Sequence, residues 1–252
     1  MGTSTVEKTQ RASKKAAIIQ SSYIPWKGYF DVINYVDDFV LFDDVQFTRR
    51  DWRNRNKLKT PNGTIWLTIP VEVKGKYLQP IKETAIASPE WANNHFQSWK
   101  HSYSKSPYWK ENEKWLQDLY KQAGELKLLS HVNHLFIKAI CDKLSIETKL
   151  HWSSDFQLAE GKTERLLSIC QQLGSKEYLS GPAAKVYLTE NTFTDAGLSV
   201  AWLDYRGYLE YEQVHPPFSH EVSILDMIFS LGPEAKGQLK SVRGLAITES
   251  AT

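Results

Sequence analysis

The chain has only two cysteines and two methionines among its 252 residues. Cys141 and Cys170 both fall within apolar helical patterns and lack metal-ligand spacing, so they read as buried small hydrophobes. No disulfide scaffold follows from such a pair, and a reducing compartment is expected. Charge of one sign is lacking too. The 31 Lys+Arg stand against 29 Asp+Glu, a formal net charge of +2. That excludes nucleic-acid binding driven by overall charge, because no large positive excess exists to release counterions. No apolar run reaches the ~18 residues of a membrane span. Residues 1–15 are polar and basic, without the apolar stretch of a secretory signal. The expectation is a cytoplasmic protein. Phosphate-binding glycine fingerprints are missing as well: neither G-x-G-x-x-G nor G-x-x-x-x-G-K-[ST] occurs. Neither G-x-S-x-G nor H-E-x-x-H is present.

What is abundant is aromatic. Nine Trp, twelve Tyr and ten Phe accompany a hydrophobic share of 41 % and a charged share of 24 %. This composition suits a globular chain with a stiff core or a concave site walled by rings.

Hydrophobic periodicity orders the elements. Ala16–Gln20 is an apolar run suited to a buried strand, followed by the turn-rich loop Ser21–Gly28. Residues 29, 30, 32, 33 and 36 are apolar at helical spacing, and Phe39–Phe42 is a second buried strand ending at Asp43-Asp44. Strand, loop, helix, strand is the βαβ pattern of a parallel sheet. Residues 45–62 read as a polar, basic stretch, Ile65–Ile69 as a strand, and 90–145 as helical. Thr163 is placed as the cap of a helix that Gly174 ends. Strands follow at 177–179 and 198–203, and a last helix runs from Ser223 to before Gly232-Pro233. Trp66 and Trp202 are assigned to the core. The expected fold class is α/β: a parallel or mixed sheet opened by a βαβ unit, Rossmann-like, with a helical insertion. Its domain spans 16–240, the insertion about 88–150, and flexible tails 1–15 and 241–252.

Ligands of open parallel sheets sit outside the carboxyl ends of the strands. Gln20 and the Asp43-Asp44 pair therefore converge on one rim, facing Tyr23, Trp26 and Gly28. Asp44 is preferred to Asp43 as a base or ligand, since Phe42 shares its face; capping the next turn is the plainer role. Arg53-Asn54-Arg55-Asn56-Lys57 joins guanidinium forks, which grip phosphate, to amides that read hydroxyls. The plainer alternative is a solvated charge run. Trp52 beside it offers a stacking ring. His95, among Trp91, Phe96 and Trp99, is a candidate acid or base if burial moves its pKa, and otherwise a packing residue. His131 and His134 read as surface or capping histidines, so no metal site is expected. His215 and His220 flank Pro216-Pro217-Phe218 in an irregular connection. Ser223-x-x-Asp226 reads as a capping box.

Taken together, Gln20-x-x-Tyr23-x-Pro25-Trp26-x-Gly28-Tyr29-Phe30, Phe42-Asp43-Asp44-Val45-Gln46 and Asn54-Arg55-Asn56 resemble the WbqC-like family. Ser104-Lys105-Ser106-Pro107-Tyr108, Ser153-Ser154-Asp155, Tyr178-Leu179-Ser180-Gly181 and Tyr211-x-Gln213-x-His215 through Asp226 extend the likeness over about residues 16–235. The resemblance implies a setting among bacterial genes for surface polysaccharides, notably O-antigens. It raises Gln20, Asp44, Asn54, Arg55, Asn56, His95, His215 and Asp226 as site residues. The Tyr23–Tyr29 loop is also similar to that of nucleotidylyltransferases, with Trp26 and Tyr29 in place of phosphate-contacting histidines.

The expected function is a transferase modifying a nucleotide-linked amino sugar by N-acyl or aminoacyl transfer. His95 or Asp44 takes the amine proton. Gln20, Tyr23, Trp26, Asp43, Arg53, Asn54, Arg55, Asn56, His215 and Asp226 bind substrate. The sequence names no cofactor; acyl-CoA or a carrier-protein thioester fits as donor, with an acyl carrier protein as partner. The alternatives are a nucleotidylyltransferase-like enzyme and a non-catalytic binding component of a glycan-assembly complex. The sugar and the oligomeric state stay open.

Overall fold

The computed structural model describes residues 13–249, so the N-terminal tail expected at 1–15 lies almost wholly outside it. Apolar runs too short for helices become the first two strands, and the amphipathic run between them becomes a helix. β1 (Lys15–Ile19), α1 (Lys27–Tyr35) and β2 (Asp38–Leu41) form the βαβ unit, with Ile18 paired to Val40 in parallel register. An antiparallel hairpin follows, β3 (Arg55–Thr60) and β4 (Gly63–Thr68). Three helices come next: α2 (Trp91–Tyr103), α3 (Trp109–Glu125) and α4 (Leu129–Lys143). The chain then re-enters the sheet through β5 (Lys149–Trp152), α5 (Lys162–Leu173), β6 (Glu177–Ser180), α6 (Glu190–Asp195) and β7 (Ser199–Trp202). The last α-helix described is α7 (Ile224–Leu231).

The five-stranded sheet runs β5-β2-β1-β6-β7, every pair parallel. Alternation along the strands splits the core in two. Ala17, Phe39, Leu41 and Leu179 join a large cluster with residues of α1, α2–α4 and α7. Ala16, Ile18, Val40 and Tyr178 face a smaller cluster under α5 and α6. Both faces are covered, as a parallel sheet requires. Strand order reverses between β1 and β6, the topological switch point at which such folds open a crevice.

Four local expectations are corrected. The basic stretch 45–62 contains β3, whose alternation buries Asn56 and Leu58, while Pro61 and Asn62 make the turn and Gly63 (φ +106°) opens β4. Trp66 is 41 % exposed rather than in the core. A two-stranded hairpin has one face to bury, so Trp66 packs on Trp52 (centroids 5.1 Å) beneath the Arg55 guanidinium at 4.0 Å. Gly161, not Thr163, precedes α5; the Thr163 hydroxyl accepts the Thr189 N–H at 3.2 Å. Residues 241–249, expected as tail, pack back on the domain. The N–H groups of Lys240 and Ser241 donate to Asp31 at 2.9 Å, Ile247 is buried, and the Glu249 N–H donates to the Trp202 carbonyl at 2.7 Å. No described helix is long and apolar enough to cross a membrane.

Candidate functional site

The loop between β1 and α1 has no regular structure, yet Ser21, Ser22, Tyr23 and Ile24 are buried. Buried backbone groups need partners. Most of them come from residues the motifs put forward. Asp43 accepts the Ser21 N–H at 2.9 Å, and Arg53 donates to the carbonyls of Gln20 (3.0 Å) and Ser21 (3.1 Å). Tyr29 donates to the Gln20 carbonyl at 3.1 Å, and the Tyr23 N–H donates to the Trp52 carbonyl at 3.0 Å. Asn133, which the motifs did not flag, donates to the Ser21 hydroxyl at 2.9 Å. The Asn56 carboxamide donates to the carbonyls of Tyr23 (3.0 Å) and Ile24 (2.6 Å). Ile24 has φ +40°, a conformation a β-branched residue keeps only when its surroundings hold it there. Asp43, Arg53 and Asn56 thus position the loop. Burial raises the Asp43 pKa, opposed by the Ser21 N–H and by the charge of Arg53.

The pinned loop forms one wall of a cavity of about 430 Å³ at the carboxyl end of β1. Trp26, Tyr29, Trp52 and Tyr205 supply rings; Ser22, Arg53, Asn56, His220 and Glu221 supply polar atoms. Trp26 meets Tyr205 and Tyr208 edge-on, at 5.5 and 5.3 Å. Gly28 lies directly under the Trp26 indole, so close that a Cβ would overlap the ring. Burial, then the charge of Lys27, lowers the His220 pKa from its ordinary 6.5. Its Nδ1 is buried and has no partner among the described residues. Lys57 pairs with Glu221 and lowers that carboxyl's pKa. Lys27 is buried within 5.0–5.5 Å of the rings of Tyr208, Tyr211 and Phe218, and burial pulls its pKa to about 8. The cavity therefore combines stacking walls with a neutral imidazole and a carboxylate.

Other expected site residues lie elsewhere. His95 is held in a buried hydrogen-bond chain. Trp99 Nε1 can only donate, and it donates to the Tyr120 hydroxyl (2.8 Å); Tyr120 shares a hydrogen bond with the Tyr23 hydroxyl (2.6 Å), which is bonded in turn to His95 Nδ1 (2.9 Å). The other ring nitrogen bonds to the backbone of Thr68, and burial lowers the His95 pKa to about 4. His95 does not line this cavity and His220 does, so His220 replaces it as the candidate base. Asp44 turns away from Asp43 to pair with Lys82 and to accept from the Ser153 hydroxyl at 2.6 Å. His215 bonds the Ser102 carbonyl at 2.8 Å. Asn54 donates to the Ile69 carbonyl at 2.8 Å, and Arg55 donates to the Arg50 carbonyl. The capping box at 223–226 is only half formed. Ser223 Oγ accepts the Leu225 N–H at 3.3 Å, but the Ser223 N–H goes to the Lys57 carbonyl. Asp226 instead accepts from Tyr211 (2.6 Å), Tyr103 (2.7 Å) and Gln213 (2.8 Å) inside the core.

Of the sequence candidates, Trp26, Arg53 and Asn56 line this cavity, and Gln20 lines a neighbouring one. His220, Glu221 and Tyr205 carried no motif of their own. The available signal was a long irregular connection holding two histidines, since such connections carry function more often than the elements they join. No group of three or more His, Cys, Asp or Glu among the described residues is arranged to hold a metal ion.

The uncharacterized protein Rv1507c of Mycobacterium tuberculosis (strain ATCC 25618 / H37Rv) is 46 % identical over 230 residues, covering 91 % of this chain and 99 % of that protein. No solved structure matches the chain. The model of the WbqC-like protein family matches residues 20–238, from the end of β1 past α7. With nearly the whole described domain inside that match, the chain belongs to the WbqC-like protein family.

Proposed function

We propose that this protein is a transferase that modifies a nucleotide-linked amino sugar by N-acyl or aminoacyl transfer in bacterial surface-glycan biosynthesis. One observation carries the reading: a neutral imidazole, His220, opens onto the same cavity as the ring walls Trp26, Trp52 and Tyr205. Aromatic faces stack on the C–H face of a pyranose, while Ser22 and Glu221 offer partners to its hydroxyls. In the reaction, the sugar amine attacks the thioester carbonyl of an acyl-CoA or carrier-bound donor. The C–N bond forms, the C–S bond breaks, His220 takes the amine proton and the thiolate leaves. Keeping His220 neutral near pH 7 is what this step needs from the protein. Lys57 holds Glu221 ionised beside it.

The test is product mass. Nucleotide amino sugars incubated with acyl and aminoacyl thioesters should gain one acyl group. His220→Gln should lower kcat by roughly 100-fold or more with the fold intact, and Trp26→Ala should act mainly on KM. Magnesium-dependent pyrophosphate release from nucleoside triphosphates, with no acyl transfer, would move the assignment to nucleotidyl transfer.

A further inference from the structure

A second cavity, about 440 Å³, opens at the switch point itself, between the carboxyl ends of β1 and β6. It shares Ile19 and Tyr205 with the aromatic cavity, so the two are neighbours across one phenol ring. Two cations from the start of α5, Lys162 and Arg165, line it. Among the described residues neither has an ion-pair partner. Arg165 spends only its Nε, on the Ala159 carbonyl at 3.5 Å, which leaves its terminal nitrogens for a ligand. Tyr187, 45 % exposed, stands 5.7 Å from the Lys162 ammonium and presents a ring at the same cavity. Tyr205 keeps its proton, since burial pushes its pKa up to about 12, and it can donate to an anion. The far side is low. Gly181 has little beyond its own backbone near it, the Tyr205 hydroxyl at 3.7 Å being the one atom within reach of a Cβ.

We infer that this cavity binds a nucleoside diphosphate, its phosphates on Lys162 and Arg165 and its ring system against Tyr187. The inference rests on the proposed function in one respect: it names where the nucleotide half of that substrate is held. The sequence offers the guanidinium forks of Arg53 and Arg55 for phosphate, but Arg53 donates to the loop carbonyls of Gln20 and Ser21 and Arg55 lies over Trp66. Two free cations in a crevice of this size suit a diphosphate, and the adjacent ring suits a base. An anion bound there would direct an attached sugar past Tyr205 toward Trp26 and His220. Open parallel sheets place ligands at this topological position for the same reason, because loops diverge there and leave space.

Calorimetric titration of the full chain with uridine, thymidine and guanosine diphosphates tests this. At least one should bind. The double variant Lys162→Ala/Arg165→Ala should weaken it roughly 30-fold or more, since each charged hydrogen bond contributes about tenfold. Both side chains are at the surface end of α5, so the variant should keep the wild-type melting temperature. His220→Gln should leave diphosphate affinity within about threefold while lowering kcat for acyl transfer roughly 100-fold or more. The inference falls if none of the three binds at millimolar concentration, or if the double variant binds with wild-type affinity. It also falls if inorganic pyrophosphate binds as tightly as the nucleotides, which marks a bare anion patch. Diphosphate binding lost in the double variant, with no acyl transfer by the wild type, supports this site and sinks the transferase reading. Full transfer by the double variant sinks this site and leaves that reading standing.

Discussion

The carboxamide of Asn56 donates to the carbonyl of Ile24 at 2.6 Å, and Ile24 holds a positive φ of +40°. The same amide group reaches the Tyr23 carbonyl at 3.0 Å, while its oxygen accepts the Lys57 N–H at 2.7 Å. One buried side chain on β3 therefore fixes the turn that presents Trp26. Asn56→Ala leaves two buried carbonyls without that donor and should cost about 2–4 kcal/mol. Asn56→Asp sets an acceptor against acceptors and should cost more. Urea denaturation gives the order, and wild-type stability in both variants would remove Asn56 from this role.

Gly28→Ala separates the site from the fold. Gly28 lies inside α1, where alanine is the better helix former by about 1 kcal/mol. Its Cβ would displace the Trp26 indole from the cavity wall. The expected result is stability within about 1 kcal/mol of wild type, together with a loss of roughly tenfold or more in affinity for the amino sugar. Unchanged affinity would show that Trp26 does not touch the ligand.

The pH dependence of stability tests the assignment of His95. Its folded pKa, about 4, lies below the ordinary 6.5. Between those values the unfolded chain binds a proton that the folded chain refuses, so stability is lost as pH falls through that window. The loss is on the order of 3 kcal/mol. Burial raises the carboxyls of Asp43 and Asp226, which act in the opposite sense, so the difference between wild type and His95→Gln isolates the histidine. Urea midpoints at pH 7 and pH 4.5 should differ less in His95→Gln. Acyl transfer at pH 7 should survive in that variant.

Asp226 gathers three donors in the core, and Lys59 approaches the same cluster through Gln213 at 2.7 Å. Asp226→Ala should cost about 3–5 kcal/mol because Lys59 and Lys27 then stay buried without its charge. Asp226→Asn keeps the shape and should cost half of that or less. Thermal denaturation distinguishes them, and equal small losses would mean that the charge is idle.

The frame was readable because it depends on local periodicity. Ala16–Gln20, 29–36 and 39–42 announce β1, α1 and β2, whereas the order of strands across the sheet has no local signal and is given by the structure alone. β3 is hidden because Leu58 is its only apolar residue: its other buried positions hold the polar Asn56 and the charged Lys59. The candidate site was legible in residue type and opaque in role. Asp43, Arg53 and Asn56 were found, but their partners lie 22 to 33 positions away in the chain. Such pairings leave no spacing signal. His95 misled for the same reason: its aromatic neighbours in sequence were visible, whereas Tyr23, at 72 positions' remove, was not. His220 lies in a connection with no period at all.

The return of residues 247–249 onto the end of β7 has a consequence for the protein in crowded solution. β7 is an edge strand, and an edge offers unpaired N–H and C=O groups to any other chain. Here the antiparallel bridge between Leu203 and Thr248, with the Glu249 N–H on the Trp202 carbonyl, occupies that template at its carboxyl end. Lys185 and Glu249 add opposite charges beside it. A few residues of C-terminal chain thus act as a shield against strand-to-strand aggregation. Trimming them would take Ile247 out of the large core cluster and uncover the carboxyl end of this edge at once.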